Sequence, residues 1–183
     1  MPPVSSKLSI VQYPDPILRH KAKPVQEITA EVKAVAERMI QLMLEAEGVG
    51  LAAPQVGLAW RLFVAHVPEG EDRSVTAVPP SATLMPQVYI NPVLSKPLGG
   101  IEPFEEGCLS LPEIRGEVYR PPTITITAMG LDGITFTRTA TGLLARCWQH
   151  EIDHLDGTLI IDRMTQISRL KNRSLLRAME KRK

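Results

Sequence analysis

The stretch QHEIDHLDG, residues 149–157, constrains the fold more than any other. It sets His150 and His154 four residues apart, with Glu151 directly after the first. On a helix that spacing puts both imidazoles on one face, roughly 6 Å apart along the axis. Two imidazoles so placed converge on one ion, and Glu151 reaches water bound to it. Two histidines do not hold a catalytic metal alone. The helix therefore has to lie against an element that brings a third ligand. The bland alternative is an exposed helix that happens to carry two histidines. With only four histidines in the chain, this frame and its glutamate speak for a metal site.

The rest of the pattern surrounds that helix with mixed elements. TGLLARCWQHEIDHL is helical from Thr141, and Asp156-Gly157 stops it. In residues 29–47, Val32, Val35, Ala36, Met39, Ile40 and Met43 recur at helical spacing, with Thr29 as cap and Gly48 as stop. RLFVAHV (61–67) reads as a strand, and VYI before Asn91 as a short one. TITITA (123–128) and ITFTRT (134–139), joined by MGLDG, form the best-supported hairpin. Residues 68–87 are Pro-rich and weakly patterned, which predicts a long surface loop. A last helix runs from about residue 165. There is no strict βαβ alternation. The expectation is an α+β fold: antiparallel β-sheets packed around a central HExxH-bearing helix, with an N-terminal helix and a C-terminal helix. No repeat or low-complexity linker divides residues 1–183, so a single catalytic domain is expected.

Composition excludes several classes. A net charge of +1 gives no global field for DNA or a membrane surface. At 4% aromatic residues there is little material for a base-stacking platform. No continuous apolar run opens the chain, so no secretory signal is expected, and no segment approaches membrane-spanning length. Two cysteines are too few for a disulfide framework and point to a reducing compartment.

The third ligand discriminates among HExxH proteins. One class of zinc proteases continues HExxHxxGxxH. This chain follows it to Gly157 but has Ile160 where the next histidine belongs. Other proteases take an acid roughly twenty residues on, where this chain reads KNRSLLR. Cys147 shares the helix face, but an ion near the level of residue 152 lies about 7.5 Å away along the axis. That is too far for a Zn–S bond of about 2.3 Å, so Cys147 is expected to be a buried apolar residue. His66 alternates within a strand, and His20 lies in a polar segment; both are more often structural or surface histidines. Cys108 sits in the extended stretch FEEGCLSLP, where Gly107 permits close backbone approach. It is the best third ligand by elimination, though elimination does not prove it.

Together GVGLAAPQ (48–55), EGCLS (106–110) and QHEIDHLDG (149–157) resemble the three signature motifs of peptide deformylases, in the family's order. The resemblance spans roughly residues 8–165. The loop at 68–87 is the clearest departure from the compact form of the family. The resemblance implies a metal held by Cys108, His150 and His154, with water in the fourth position. It implies ferrous iron (Fe2+) as the native ion, with zinc, nickel or cobalt able to substitute. The implied reaction removes the formyl group from formylmethionine at the start of nascent polypeptides. Glu151 would act as general base and then acid. The Gln55 side-chain amide and the Leu109 backbone N–H would receive the developing oxyanion. Gly48, Val49, Gly50, Glu106, Gly107 and Arg115 would line the bound peptide.

Some of these residues also have plainer readings. Gln55 is otherwise a loop glutamine after Pro54, Gly48 a helix C-cap, and Arg115 a solvated arginine. The last stretch, TQISRLKNRSLLRAMEKRK, carries seven Lys/Arg against one Glu, with Ile167, Leu170, Leu175, Leu176 and Met179 as an apolar side. A packed helix with a solvated basic face is the simpler reading, and ribosome docking the one the resemblance implies. The expected location is the bacterial cytoplasm, or an organellar stroma or matrix if a transit peptide has been removed. Competing activities are an HExxH metallopeptidase cleaving internal peptide bonds, a cysteine hydrolase with Cys108 as nucleophile and His150 as base, and a non-catalytic ribosome-associated module.

Overall fold

The structure, a computed structural model, describes residues 7–181. Helix α1 spans Ala30–Glu45. Thr29 starts it by accepting a hydrogen bond from the Val32 N–H at 3.3 Å. Its buried stripe is Val32, Val35, Ala36, Met39, Leu42 and Met43. The stop differs from the expectation by one residue. Glu47, not Gly48, takes the left-handed conformation (φ 54). The N–H groups of Glu47 and Gly48 return to Leu44 O and Met43 O, which closes the last turn. Gly48 is small for another reason: a Cβ there would lie 2.7 Å from Leu109 Cδ1.

Seven strands follow: β1 (Gly50–Ala52), β2 (Leu62–Ala65), β3 (Gln87–Leu98), β4 (Glu102–Cys108), β5 (Leu111–Arg120), β6 (Thr123–Met129) and β7 (Thr135–Thr141). Among the described residues they form a five-stranded sheet in the order β1-β2-β3-β6-β7 and a separate β4–β5 hairpin. Every pairing is antiparallel. The β6–β7 hairpin pairs Thr123 with Thr141 through Met129 with Thr135. One face buries Ile124, Ile126 and Ala128. The other carries hydroxyl pairs Thr123–Thr141, Thr125–Thr139 and Thr127–Thr137 at 3.0, 2.8 and 2.9 Å.

Two sheet features depart from the sequence reading. The short strand before Asn91 is the start of the twelve-residue β3. Pro92 and Pro97 hid its continuation, since proline cannot donate to a ladder. The strand tolerates them at two register shifts, where Asn91 and Lys96 take positive φ. The stretch around Cys108 is a full hairpin, with β5 alternating between buried and exposed residues.

Helix α2 (Gly142–Leu155) is buried along most of its length. On one side Leu144, Ala145, Trp148 and Ile152 join the core formed with the sheet. Its C-terminal end continues through Gly157, in the left-handed region (φ 74), into the short helix α3 (Ile160–Arg163). Helix α4 (Gln166–Glu180) lies against β5. The expected apolar side of α4 is only partly used. Met179 is buried, but Ile167 and Leu170 are each 68% exposed. Asn172 takes the central buried place, donating to Arg115 O at 2.7 Å. With the packing of Leu176 and Met179 and the bond from Glu117 N–H to Ser168 Oγ at 3.0 Å, this contact holds the helix with Ile167 and Leu170 outward. Among the described residues no helix is long and apolar enough to cross a membrane.

Candidate active site

Strand β4 ends at Cys108, and α2 delivers His150 and His154 beside it. Cys108 Sγ lies 3.3 Å from His154 Nε2, which is 3.2 Å from His150 Nε2. The three donor atoms all fall within 4.8 Å of one another. A tetrahedral ion with N at about 2.0–2.1 Å and S at about 2.3 Å needs ligand atoms roughly 3.3–3.6 Å apart. The two short separations match that spacing, and the donor set of one thiol and two imidazoles suits a divalent metal. Ile160, at the place of the protease histidine, is buried among Leu111, Leu159 and Met164. Cys147 is outside the cluster. Its thiol donates to Val49 O at 3.3 Å, and burial pushes its pKa well up, so it stays neutral. His66 pairs with Thr83 at 2.9 Å, and His20 is exposed.

Glu106 is among the residues that line the cleft, but its side chain is engaged elsewhere. Its carboxylate points inward, accepting from Arg120 Nε at 2.7 Å and Arg146 Nη1 at 3.1 Å, while Oε2 meets His150 Nδ1 at 3.1 Å. Arg120 also donates to Asp153 at 2.9 Å, and Asp153 receives Arg163 at 2.8 Å. Burial alone would raise the Glu106 pKa. The hydrogen bonds from His150 and Arg120 outweigh it and hold the carboxyl well below the usual range. An ionised Glu106 fixes His150 with its proton on Nδ1 and its Nε2 toward the cluster. Without an ion, burial would keep His150 neutral. Hydrogen bonds to Cys108 and Glu106 instead raise its pKa, while burial, then the His150 charge, lowers that of His154.

Glu151 stands behind the cluster, 3% exposed. Its Oε2 is buried without a hydrogen-bond partner. A Cβ at Gly50 would lie 2.3 Å from Glu151 Oε1. Gly50 lines the cleft, and the space left by its missing side chain is filled by the Glu151 carboxylate. Burial pushes the Glu151 pKa up to about 7, against the opposing charge of His150.

Gln55 lies in the 3-10 turn Ala53–Val56 and is 1% exposed. Its Oε1 accepts from the Ala52 N–H at 2.9 Å, which assigns the amide. The NH2 group then donates to Ser110 Oγ at 3.2 Å and faces Cys108 Sγ at 3.5 Å. Leu109 sits in the turn after Cys108, its side chain over Gly48. Arg115 pairs in register with Gly107 and is exposed, its Nη1 3.3 Å from where a Gly107 Cβ would be. A cleft of about 490 Å³ runs over these groups, with Val49, Phe104, Leu143 and Cys147 as its apolar wall.

Residues 7–170 match the sequence profile of the polypeptide deformylase family. The chain belongs to the polypeptide deformylase family. The deformylase of Agrobacterium fabrum is 42% identical over 173 residues, covering 94% of each chain. That of Acidobacterium capsulatum is 43% identical, covering 94% of this chain and 93% of its own. A plant peptide deformylase structure superposes with a TM-score of 0.84 at 39% identity, covering 96% of this chain and 90% of that one. A deformylase is a hydrolase that removes the formyl group from nascent polypeptides, and the reading as an internal peptidase gives way to it.

Four polar groups in this deformylase were not singled out from the sequence: Ser110, Arg120, Arg146 and Asp153. All are buried. The legible signal was on α2, where Arg146 and Asp153 are further charged residues on the helix that carries His150, Glu151 and His154. Arg120 and Ser110 gave none, because their partners are distant in sequence.

Proposed function

We propose that Cys108, His150 and His154 hold a ferrous ion, replaceable by zinc, nickel or cobalt, in a single catalytic domain. The main support is Glu151, whose unpartnered carboxylate oxygen is buried beside three converging donor atoms. When bound, the ion lowers the pKa of a coordinated water and supplies the nucleophile near neutral pH.

The chain's own residues do the rest. Glu151 takes the proton from the attacking water and returns it to the leaving nitrogen. The C–N bond of the formamide breaks, and formate and a free amine leave. The Gln55 amide and the Leu109 N–H stabilise the charge on the formyl oxygen, one such donor being worth about 3–4 kcal/mol. The ionised Glu106 keeps His150 from turning. Strand β1 lies at the edge of its sheet, so Gly48–Gly50 can pair with an extended peptide as an added strand. The wall of Val49, Phe104, Leu143 and Cys147 receives the methionine side chain. Arg115, over Gly107, meets the peptide beyond it.

Helix α4 supports a ribosomal partner. Its exposed Ile167 and Leu170 lie among Arg169, Lys171, Arg173 and Arg177, a surface suited to RNA phosphates. The location that follows is the bacterial cytoplasm or an organelle with its own translation. Charge reversal at Arg173 and Arg177 should weaken co-sedimentation with ribosomes; unchanged co-sedimentation refutes docking through α4.

The enzymatic reading is tested by metal analysis with a formate-release assay on formyl-Met peptides. Anaerobic protein should contain one iron and be more active than aerobic protein, with nickel or cobalt restoring the latter. Glu151→Ala should keep its metal and lose turnover. A chelator-insensitive activity would instead favour Cys108 as nucleophile.

A further inference from the structure

Helix α2 carries His150, Glu151 and His154, yet no side chain caps its start. Thr141 is the cap residue, but its hydroxyl donates to Pro122 O at 3.1 Å and accepts from Thr123 at 3.0 Å. The start is held by main-chain bonds instead. Gly142 N–H donates to Pro122 O at 3.0 Å, and Thr141 N–H donates to Pro80 O at 3.0 Å. Pro80 belongs to the Pro-rich segment after β2, the part of the chain with no role in the site so far.

That segment is tied to itself. Ser81 N–H donates to Ser74 O at 2.9 Å, and Ser74 N–H returns to Ser81 Oγ at 3.0 Å. Thr83 N–H donates to Val67 O at 2.7 Å, and Val67 N–H to Thr83 Oγ1 at 3.0 Å. Ser81 and Ala82 are buried despite the polar sequence around them. Ala82 and Val75 pack into the cluster that contains Leu144, Ala145 and Trp148 of α2. Gly142 has φ 57, and a Cβ there would lie 3.3 Å from Ser81 Cβ. The segment therefore meets α2 at Thr141 and Gly142 and shares its apolar cluster, and none of its residues lines the cleft.

We propose that residues 66–83 are a clamp that positions the catalytic helix along its axis. The inference rests on Cys108, His150 and His154 being the metal ligands. Cys108 and Gln55 stand on other elements, so the clamp at the helix start acts together with the Glu106–Arg146 ion pair to set the height at which the two histidines and Glu151 meet them. His150 is nine residues from Thr141, about 13 Å along a stiff helix, so a slide at the start moves all three α2 groups together. Chemistry is sensitive to such shifts, about a hundredfold in rate for a 1 Å misplacement.

The test uses Ser81→Ala, which removes the acceptor that closes the segment, and Gly142→Ala, which crowds its contact with α2. Both are compared with wild type as cobalt-loaded protein. The clamp predicts a shift of the visible cobalt bands and a fall in kcat of about tenfold with KM unchanged. It also predicts faster amide exchange at residues 142–146. Ile40→Val, in the separate core against α1, should lower stability without moving the bands. Unchanged bands and kcat in both variants overturn the clamp, whatever happens to melting temperature, and so do unchanged exchange rates. If wild-type cobalt protein lacks a thiolate-to-cobalt band, the ligand assignment fails instead, and kcat and exchange still decide the clamp.

Discussion

Glu106 Oε2 lies 3.1 Å from His150 Nδ1, and this contact decides which imidazole nitrogen faces the cleft. Such partners of metal-binding histidines typically contribute 10–100-fold to affinity. Glu106→Ala should therefore weaken metal binding by about that factor, measured by competition with a chromogenic chelator. An affinity equal to wild type would show that His150 is oriented by other contacts.

The same residue sets a pH dependence in metal-stripped protein. Its folded-state pKa is depressed, so it stabilises the fold above the unfolded value of about 4.3 and loses that contribution as pH falls toward the folded value. His150 works in the opposite sense. Its raised pKa stabilises below about 6.5 and is lost as pH rises through the folded value. Glu151, pushed up to about 7, and His154, lowered well below its ordinary value, also change charge on the acid side, so the Glu106 contribution is read as the difference between wild type and Glu106→Gln. Denaturant titrations should show the stability gap between wild type and Glu106→Gln narrowing from about pH 5 to about pH 3. A constant gap across that range contradicts the assignment.

Gly50 and Gly57 separate two uses of glycine. Gly50→Ala drives a methyl into Glu151 Oε1 and Cys147 Sγ, at 2.3 and 2.8 Å. Turnover should fall by about 10²-fold or more through the displaced base, with metal content kept. Gly57 has φ 81 and nothing within 4 Å of an added Cβ. Gly57→Ala should cost about 1 kcal/mol of stability and leave kcat alone. Formate release and thermal melts on the two proteins check both halves.

Gln55→Ala removes one of the two donors proposed for the developing oxyanion. The expected loss in kcat/KM is about 10²–10³-fold, with unchanged metal stoichiometry. The variant also frees Ser110 Oγ and the Ala52 N–H from their bonds to Gln55, so a melt should accompany the kinetics. A loss of metal together with activity would make Gln55 a structural residue.

Legibility in the sequence followed the range of the interactions. Helix α2 could be read because period, histidine spacing and the Asp156-Gly157 stop are local. The β6–β7 hairpin could be read because strict alternation in TITITA and ITFTRT is local too. Strand β3 could not, since its prolines are tolerated only at bulges that the partner strand creates. The inward turn of the Glu106 carboxylate could not be read, because its partners Arg120, Arg146 and His150 lie 14, 40 and 44 residues away. In the motif it looks like a solvent-side acid beside Cys108. The outer face of α4 was misplaced for a similar reason. Of the apolar side read from hydropathy, Leu176 and Met179 pack inward, while Asn172, bonded to Arg115 O, takes a buried place and Ile167 and Leu170 stay exposed.

The lattice of Glu106, Arg120, Arg146 and Asp153 closes among its own charges. It joins β4 to α2 whether or not an ion is present, unlike small zinc domains that collapse when stripped. The protein is thus a finished socket. Losing the ion and losing the fold are then expected to be separate events, so that a chelated enzyme is reloaded rather than made again.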